Sequence, residues 1–180
     1  MTSEKPVFEF SVREAKPDEF AWVALFWYAM GQEIGWRAED LVEDWLERKL
    51  AYDARRSRAG ELRSFVAEVG GEVVGSASGF VIDGYPRDFF RRNYRGYIIG
   101  VYVLPEFRRR GIARALTLAV TDWLFAIGCR VVRLHASEAG RHVYPALGFV
   151  PSNEMELRAN DRFAAGYQVR ESSEDPAAEP

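Results

Sequence analysis

The sequence predicts one α/β or α+β domain built on a mixed sheet, and three observations carry that reading. Two extended runs, 63–69 and 72–82, meet at Gly70-Gly71, a β-hairpin signature. The apolar run 97–104 (YIIGVYVL) has the length of a strand without polar alternation, which places it inside a sheet with both faces covered. Residues 110–127 set Ile112, Leu116, Val120, Trp123 and Ile127 on one helical stripe. Strands interleaved with amphipathic helices bury their apolar surfaces by layering helices on a sheet.

The remaining elements follow in chain order. Residues 8–13 (FEFSVR) alternate as a strand does. Pro17, Asp18 and Glu19 open a helix, with proline in the first turn and acids at the positive end of the dipole. Phe20, Val23, Trp27 and Met30 continue it at helical spacing, and Gly31 is the expected stop. A second helix is expected from Glu39 and Asp40, with Leu41, Trp45, Leu46 and Leu50 on its apolar face. Arg55, Arg56 and Arg58 suit its C-terminal end, and Gly60 closes it. The segment 83–95 (DGYPRDFFRRNYR) reads as a long loop of a kind that is often functional or mobile. Pro105 stops the 97–104 strand, Gly128 ends the long helix, and 130–136 alternates as another strand. A short helix at 143–147 ends at Gly148, and 149–150 and 155–157 are candidate last strands. The final ten residues, ESSEDPAAEP, lack apolar periodicity and are expected to be disordered.

Composition narrows the function classes. Hydrophobic residues are 48% of the 180, ample for a full core, and a chain this long buries roughly 70% of its extended surface. The 24 basic and 27 acidic residues leave a net charge of −3, which argues against a dedicated nucleic-acid binder. A basic patch through Arg87, Arg91, Arg92, Arg95 and Arg108–Arg110 stays the weakest reading. One cysteine, Cys129, gives no disulfide framework and no zinc cluster, and two histidines make a His-rich metal site a poor expectation. No apolar run has bilayer length and the N-terminus lacks a signal pattern, so the expectation is a soluble, cytoplasmic protein.

The most informative segment is 105–116, PEFRRRGIARAL. A helix N-terminus exposes unsatisfied N–H groups and about half a positive charge, and Ser, Thr, Asp or Asn usually caps it. Here Arg108, Arg109 and Arg110 precede Gly111, and no conventional cap stands at the junction. Either the arginines point into solvent, or an anion such as a pyrophosphate sits on the helix end, with Gly111 and Ala113 allowing close approach. There is no P-loop pattern and no glycine fingerprint of a dinucleotide fold.

At this point the chain resembles the GCN5-related N-acetyltransferases. The likeness rests on VYVLPEFRRRGIARAL at 101–116, which holds [RQ]-x-x-G-x-[GA] as Arg108, Gly111 and Ala113, and on RHVYPALGF at 141–149, similar to that family's Tyr-x-x-x-Gly-Phe segment. The resemblance runs from Phe8 to about Leu157. It implies an acyl-CoA N-acyltransferase fold, with a mostly antiparallel sheet and helices on both faces, in a single N-acetyltransferase domain at 1–160 followed by an extension at 161–180. It implies acetyl-CoA as co-substrate and no metal. The backbone of Val101, Tyr102 and Val103 would hold the pantetheine arm like an added strand, and N–H groups of Arg108, Arg109, Arg110, Gly111, Ile112 and Ala113 would cradle the pyrophosphate. A backbone N–H near Val103 would face the thioester oxygen. Tyr144 would protonate the departing thiolate, and a primary amine of a small molecule or peptide would attack directly. A homodimer is compatible with the family; nucleic acid and membrane partners are not expected.

The chain departs from the family's pattern in places. Ser137 and Gly140 stand where relatives often carry Asn and Ala; Ser137 could still bond the cofactor or serve only its turn. Tyr144 read alone is more often a half-buried core tyrosine with a satisfied hydroxyl. Pro145 lacks an N–H, so the short helix must start late enough to place it in the first turn. The strand 97–103 has no carboxylate, so Glu33, Asp83, His135 or water is left to take the amine's proton. The loop 85–97 and the turn 33–36 are expected to line the acceptor site. A non-catalytic acyl-CoA-binding module on the same fold is the alternative to an enzyme.

Overall fold

The computed structural model of the chain describes residues 8–82 and 94–155. Two compact units divide the chain, Met1–Phe149 and Val150–Pro180. The described part of the second, residues 150–155, carries no helix or strand; the Glu154 N–H donates to Ser152 Oγ at 3.3 Å.

The first unit runs β1 (Ser11–Glu14), α1 (Phe20–Glu33), α2 (Trp45–Arg58), β2 (Leu62–Val69), β3 (Glu72–Val81), β4 (Tyr94–Val103), α3 (Ile112–Ala126) and β5 (Cys129–Arg133). The strands form one sheet in the order β1-β2-β3-β4-β5. Every neighbouring pair is antiparallel except β4 and β5, which α3 connects and which run parallel.

Adjacent residues of β2 show the layering. Val66 packs with Ala15 and Val23 on the α1 side, whereas Ala67 joins Leu116, Val120, Trp123 and Leu124 of α3. Successive strand residues point to opposite faces, so α1 and α3 cover opposite sides of the sheet. Gly79 lets α3 approach, because a Cβ there would lie 2.5 Å from Val120 Cγ1 and 3.1 Å from the Trp123 ring. Arg13 ties the first layer together. Its guanidinium bonds Glu19 and Glu68, each at 2.7 Å, joining β1, β2 and the entry to α1. The bonds from Arg13 hold the Glu19 carboxyl down at about 2, below its ordinary 4.5.

The hairpin at Gly70-Gly71, the long helix and the covered central strand match the sequence reading; no residue of 95–103 is exposed. Several boundaries differ for physical reasons. β1 starts at Ser11, because Phe8 and Phe10 pack on each other and Phe8 also packs on Phe107. Gly31 does not stop α1, which ends two residues later at Glu33: the Trp36 indole lies against the space a Cβ would take, and the Gly31 carbonyl accepts from Trp36 N–H at 2.9 Å. Glu39 and Asp40 form a separate 3-10 turn, in which Asp40 Oδ2 accepts from Arg37 N–H at 2.8 Å, and α2 begins only at Trp45. β5 ends at Arg133 rather than Ala136. The short helix is a single 3-10 turn, Pro145–Leu147, with Pro145 in its first position as the missing N–H requires. No strand forms at 149–150. The loop 83–93, with Asp83, Arg87, Asp88, Arg91 and Arg92, and the segment 156–180 lie outside the described residues.

Candidate active site

The sheet splits between β4 and β5. Their pairing covers only Tyr94 to Tyr97 on β4, ending at Tyr97 opposite Arg133. β4 then continues to Val103 with no strand beside it on that edge among the described residues. The chain after β5 turns away at Ser137, whose carbonyl accepts from Gly140 N–H at 3.1 Å and Arg141 N–H at 2.9 Å. β4 also bends: Ser76 pairs with Tyr102 but Ser78 pairs with Ile99, so Gly100 and Val101 together oppose Ala77, with Gly100 at φ +66°. A bulge of this kind re-aims a strand beside a site.

A cavity of about 1280 Å³ fills the wedge. Its walls are Val101, Tyr102 and Val103 from β4, the start of α3, the turn 137–140, Met30 and Glu33 from α1, and Ile34 just after it. Of the positions expected to hold a cofactor, Val101, Tyr102, Val103, Arg108, Arg109, Gly111, Ile112, Ala113 and Ser137 all line it; Arg110 does not.

The start of α3 is chemically unsaturated. Gly111, at φ +84°, is its N-cap, and no side chain caps the helix. The first helical bond is Ala115 N–H to the Gly111 carbonyl at 3.0 Å. The N–H groups of Ile112, Ala113 and Arg114 therefore have no partner within the helix. They carry the positive end of the dipole at the cavity wall, a ready anion site.

The three arginines diverge instead of acting as one cluster. Arg108 folds back: Nε donates to the Val103 carbonyl at 2.8 Å, Nη2 pairs with Glu33 Oε1 at 2.6 Å, and the guanidinium lies over the Tyr102 ring. The Glu33 bond pushes the Arg108 pKa up further. Arg110 stacks on Phe8, 4.2 Å from the ring centre. Arg109, at φ +63°, has no hydrogen bond or ion pair among the described residues, and Arg114 joins it on the cavity wall. Arg114 escaped the sequence reading because it sits inside the helix, one residue past the Arg108–Ala113 motif.

Tyr144 is buried, at 9% exposure, beside the Phe149 ring. It stands next to the cavity wall rather than in it: a Cβ on Gly140 would lie 3.5 Å from the Tyr144 hydroxyl and 3.2 Å from Ser137 Oγ. Burial raises its pKa, so the phenol holds its proton. Ser137 Oγ accepts from Gly140 N–H at 3.2 Å, so it serves its turn while lining the cavity. Cys129 is buried, its thiol pKa raised by burial, which disfavours a thiolate nucleophile. Among the proton acceptors considered, Glu33 reaches the cavity but is engaged by Arg108, Asp83 lies outside the described residues, and His135 bonds the Tyr97 hydroxyl. Among the described residues no group of acids, histidines and cysteine could hold a metal, and no helix is long and apolar enough to cross a membrane.

The fold recurs in known proteins. The acetyltransferase (GNAT) family profile matches residues 8–149. A GCN5-related N-acetyltransferase from Ralstonia eutropha JMP134 superimposes with a TM-score of 0.72 at 27% identity, over 84% of this chain and 99% of its own. The acetyltransferase AAC(6')-Iy, solved with the bisubstrate analogue CoA-S-monomethyl-acetylneamine, gives 0.63 at 26% identity, over 83% and 97%. A predicted acetyltransferase from Clostridium acetobutylicum, solved with acetyl-CoA, shares the fold at 0.72 and 21% identity, over 85% and 98%. With the profile spanning the whole layered unit from Phe8 to Phe149, the chain belongs to the acetyltransferase (GNAT) family.

Proposed function

We propose that the protein is an acetyl-CoA-dependent N-acetyltransferase that passes the acetyl group to a primary amine of a small molecule or peptide by direct attack. The observation that carries this reading is the uncapped start of α3 at the wall of an open strand edge, a polyanion site beside a site for an amide-bearing arm. Ile112, Ala113 and Arg114 N–H groups, with Arg109 and Arg114 as the available cations, hold the pyrophosphate. The backbone of Val101, Tyr102 and Val103 pairs with the pantetheine amides as a further strand. A backbone N–H near Val103 stabilises the oxyanion that forms when the amine adds to the thioester. Tyr144, a phenol kept protonated by its burial, gives its proton to the leaving thiolate. The neighbour solved with a bisubstrate analogue of CoA and an aminoglycoside supports direct transfer between two co-bound substrates.

The absence of a carboxylate from β4 favours a second reading, an acyl-CoA-binding module without catalysis. One experiment separates them. Purified protein is given acetyl-CoA and a panel of primary amines, and free CoA is followed with time. Amine-dependent release of CoA is expected; binding of acetyl-CoA without release by any amine assigns the module.

A further inference from the structure

The root of the wedge holds a pair of side chains outside the cavity wall. Tyr97 is the last β4 residue paired with β5, opposite Arg133. Two residues past Arg133 stands His135, and its Nδ1 is hydrogen-bonded to the Tyr97 hydroxyl, the rings 5.8 Å apart. The bond spans the seam where the strands part. Beyond it one arm leads to Val101 and the other to Ser137, both on the cavity wall. Ser137 is two residues from His135, at most about 7 Å of chain. His135 is exposed, and its second nitrogen, Nε2, makes no hydrogen bond among the described residues. Burial raises the Tyr97 pKa, so the phenol stays neutral, and its oxygen is able both to donate to Nδ1 and to accept from it.

An ammonium has no lone pair and must lose a proton before it attacks. β4 carries no carboxylate, and Arg108 engages Glu33. We propose that His135 receives the proton of the acceptor amine, with Tyr97 as its positioning residue; this rests on the N-acetyltransferase reading. The N–H bond of the ammonium breaks and its electron pair stays on nitrogen. The proton passes through a water at the root of the wedge to His135 Nε2. The base is the tautomer whose Nδ1–H donates to the Tyr97 oxygen and whose Nε2 carries the lone pair; the imidazolium keeps that Nδ1–H bond. The imidazolium then releases its proton to bulk water, so nothing further is consumed. Among the described residues, the surrounding elements bring charge here through Arg95 and Arg133 of the strands and Arg56 of α2. Arg56 lies over Phe80, itself 5.5 Å from Tyr97, with Glu61 at 3.5 Å from its guanidinium.

The test uses His135→Gln, Tyr97→Phe and the double variant, each checked for fold by circular dichroism and for acetyl-CoA affinity by calorimetry. His135→Gln is expected to lower kcat/KM for the acceptor about 100-fold, and Tyr97→Phe about 10-fold, with acetyl-CoA affinity unchanged. The double variant is expected to match His135→Gln, because Tyr97 acts only through the imidazole. Across acceptors of different amine pKa, the rising limb of the wild-type pH profile stays at one pH; in His135→Gln it follows the acceptor. An active wild type whose His135→Gln variant retains full kcat/KM, or single effects that simply multiply, overturns this assignment. A wild type inert toward every amine overturns the N-acetyltransferase reading itself.

Discussion

Gly111→Asp tests the anion site with little disturbance of the fold. A Cβ at Gly111 meets nothing within 4 Å, so the new side chain enters open space at the cavity wall without a clash. The backbone there is left-handed, at φ +84°, which costs a non-glycine residue about 1 kcal/mol. Stability is therefore expected to fall by about that amount. Binding suffers twice. An aspartate at the N-cap accepts from the same N–H groups of α3 that an anion would use. Its charge also opposes a pyrophosphate charge at about 5 Å, worth roughly 1 kcal/mol in water and about 3 kcal/mol at a partly buried surface. Together these weaken CoA binding about 100-fold or more, near 2.7 kcal/mol. Gly111→Asn, of similar shape but neutral, keeps the capping and loses the repulsion, so a drop of about 10-fold is expected. Only the Asp variant should regain affinity as salt screens the repulsion. Calorimetric titration with CoA reads the affinities and urea unfolding reads the stability. A folded Gly111→Asp protein that binds CoA as wild type does would refute the assignment of this loop.

Three further outcomes are expected. Tyr144→Phe lowers kcat about 10- to 1,000-fold, with a smaller change in the acetyl-CoA KM, because a general acid acts as thiolate charge develops; an unchanged kcat when chemistry limits turnover would return Tyr144 to packing. Glu19 is held near 2 in the fold against an ordinary 4.5, so its contribution is complete above about 4.5 and is lost as pH falls toward 2. It amounts to about 1 kcal/mol after solvent screening, and Arg13→Ala should flatten that part of a urea-midpoint profile against pH at low salt. Gly79→Val drives its Cβ to 2.5 Å from Val120 and 3.1 Å from Trp123 in a closed core, so it should cost about 1–3 kcal/mol, seen as a lower urea midpoint at unchanged slope.

What the chain reveals one segment at a time was legible beforehand. The Gly70-Gly71 hairpin, the stripe of α3 and the covered β4 are local patterns, and the structure keeps all three. So is the missing cap at Gly111, because capping is decided within four residues. The boundaries that moved were set by distant partners or by local bonds with no hydrophobic signature. Gly31 stays helical because Trp36 returns over it, and Asp40 spends its carboxylate on Arg37 rather than on a helix start. The arginine run shows the limit most clearly. Three adjacent cations look alike in sequence, yet Arg108 finds Glu33 from 75 residues away and Arg110 finds Phe8. The Tyr97–His135 pair spans 38 residues and two strands. An isolated histidine in an alternating strand carries no mark of such a partner, so only the parallel register of β4 and β5 brings it out.

The split between β4 and β5 makes concentration a folding variable. Residues 98–103 present an edge that no described strand completes, and a ligand lying along it adds pairing that the unfolded chain cannot offer. Such a ligand stabilises the native state by RT ln(1 + [L]/Kd), about 2.7 kcal/mol at a hundred times Kd. A protein of ordinary marginal stability then unfolds, and meets proteases, at a rate that rises when the ligand runs low. The abundance of this chain would track the supply of the molecule that fills its wedge, even with no change in its synthesis.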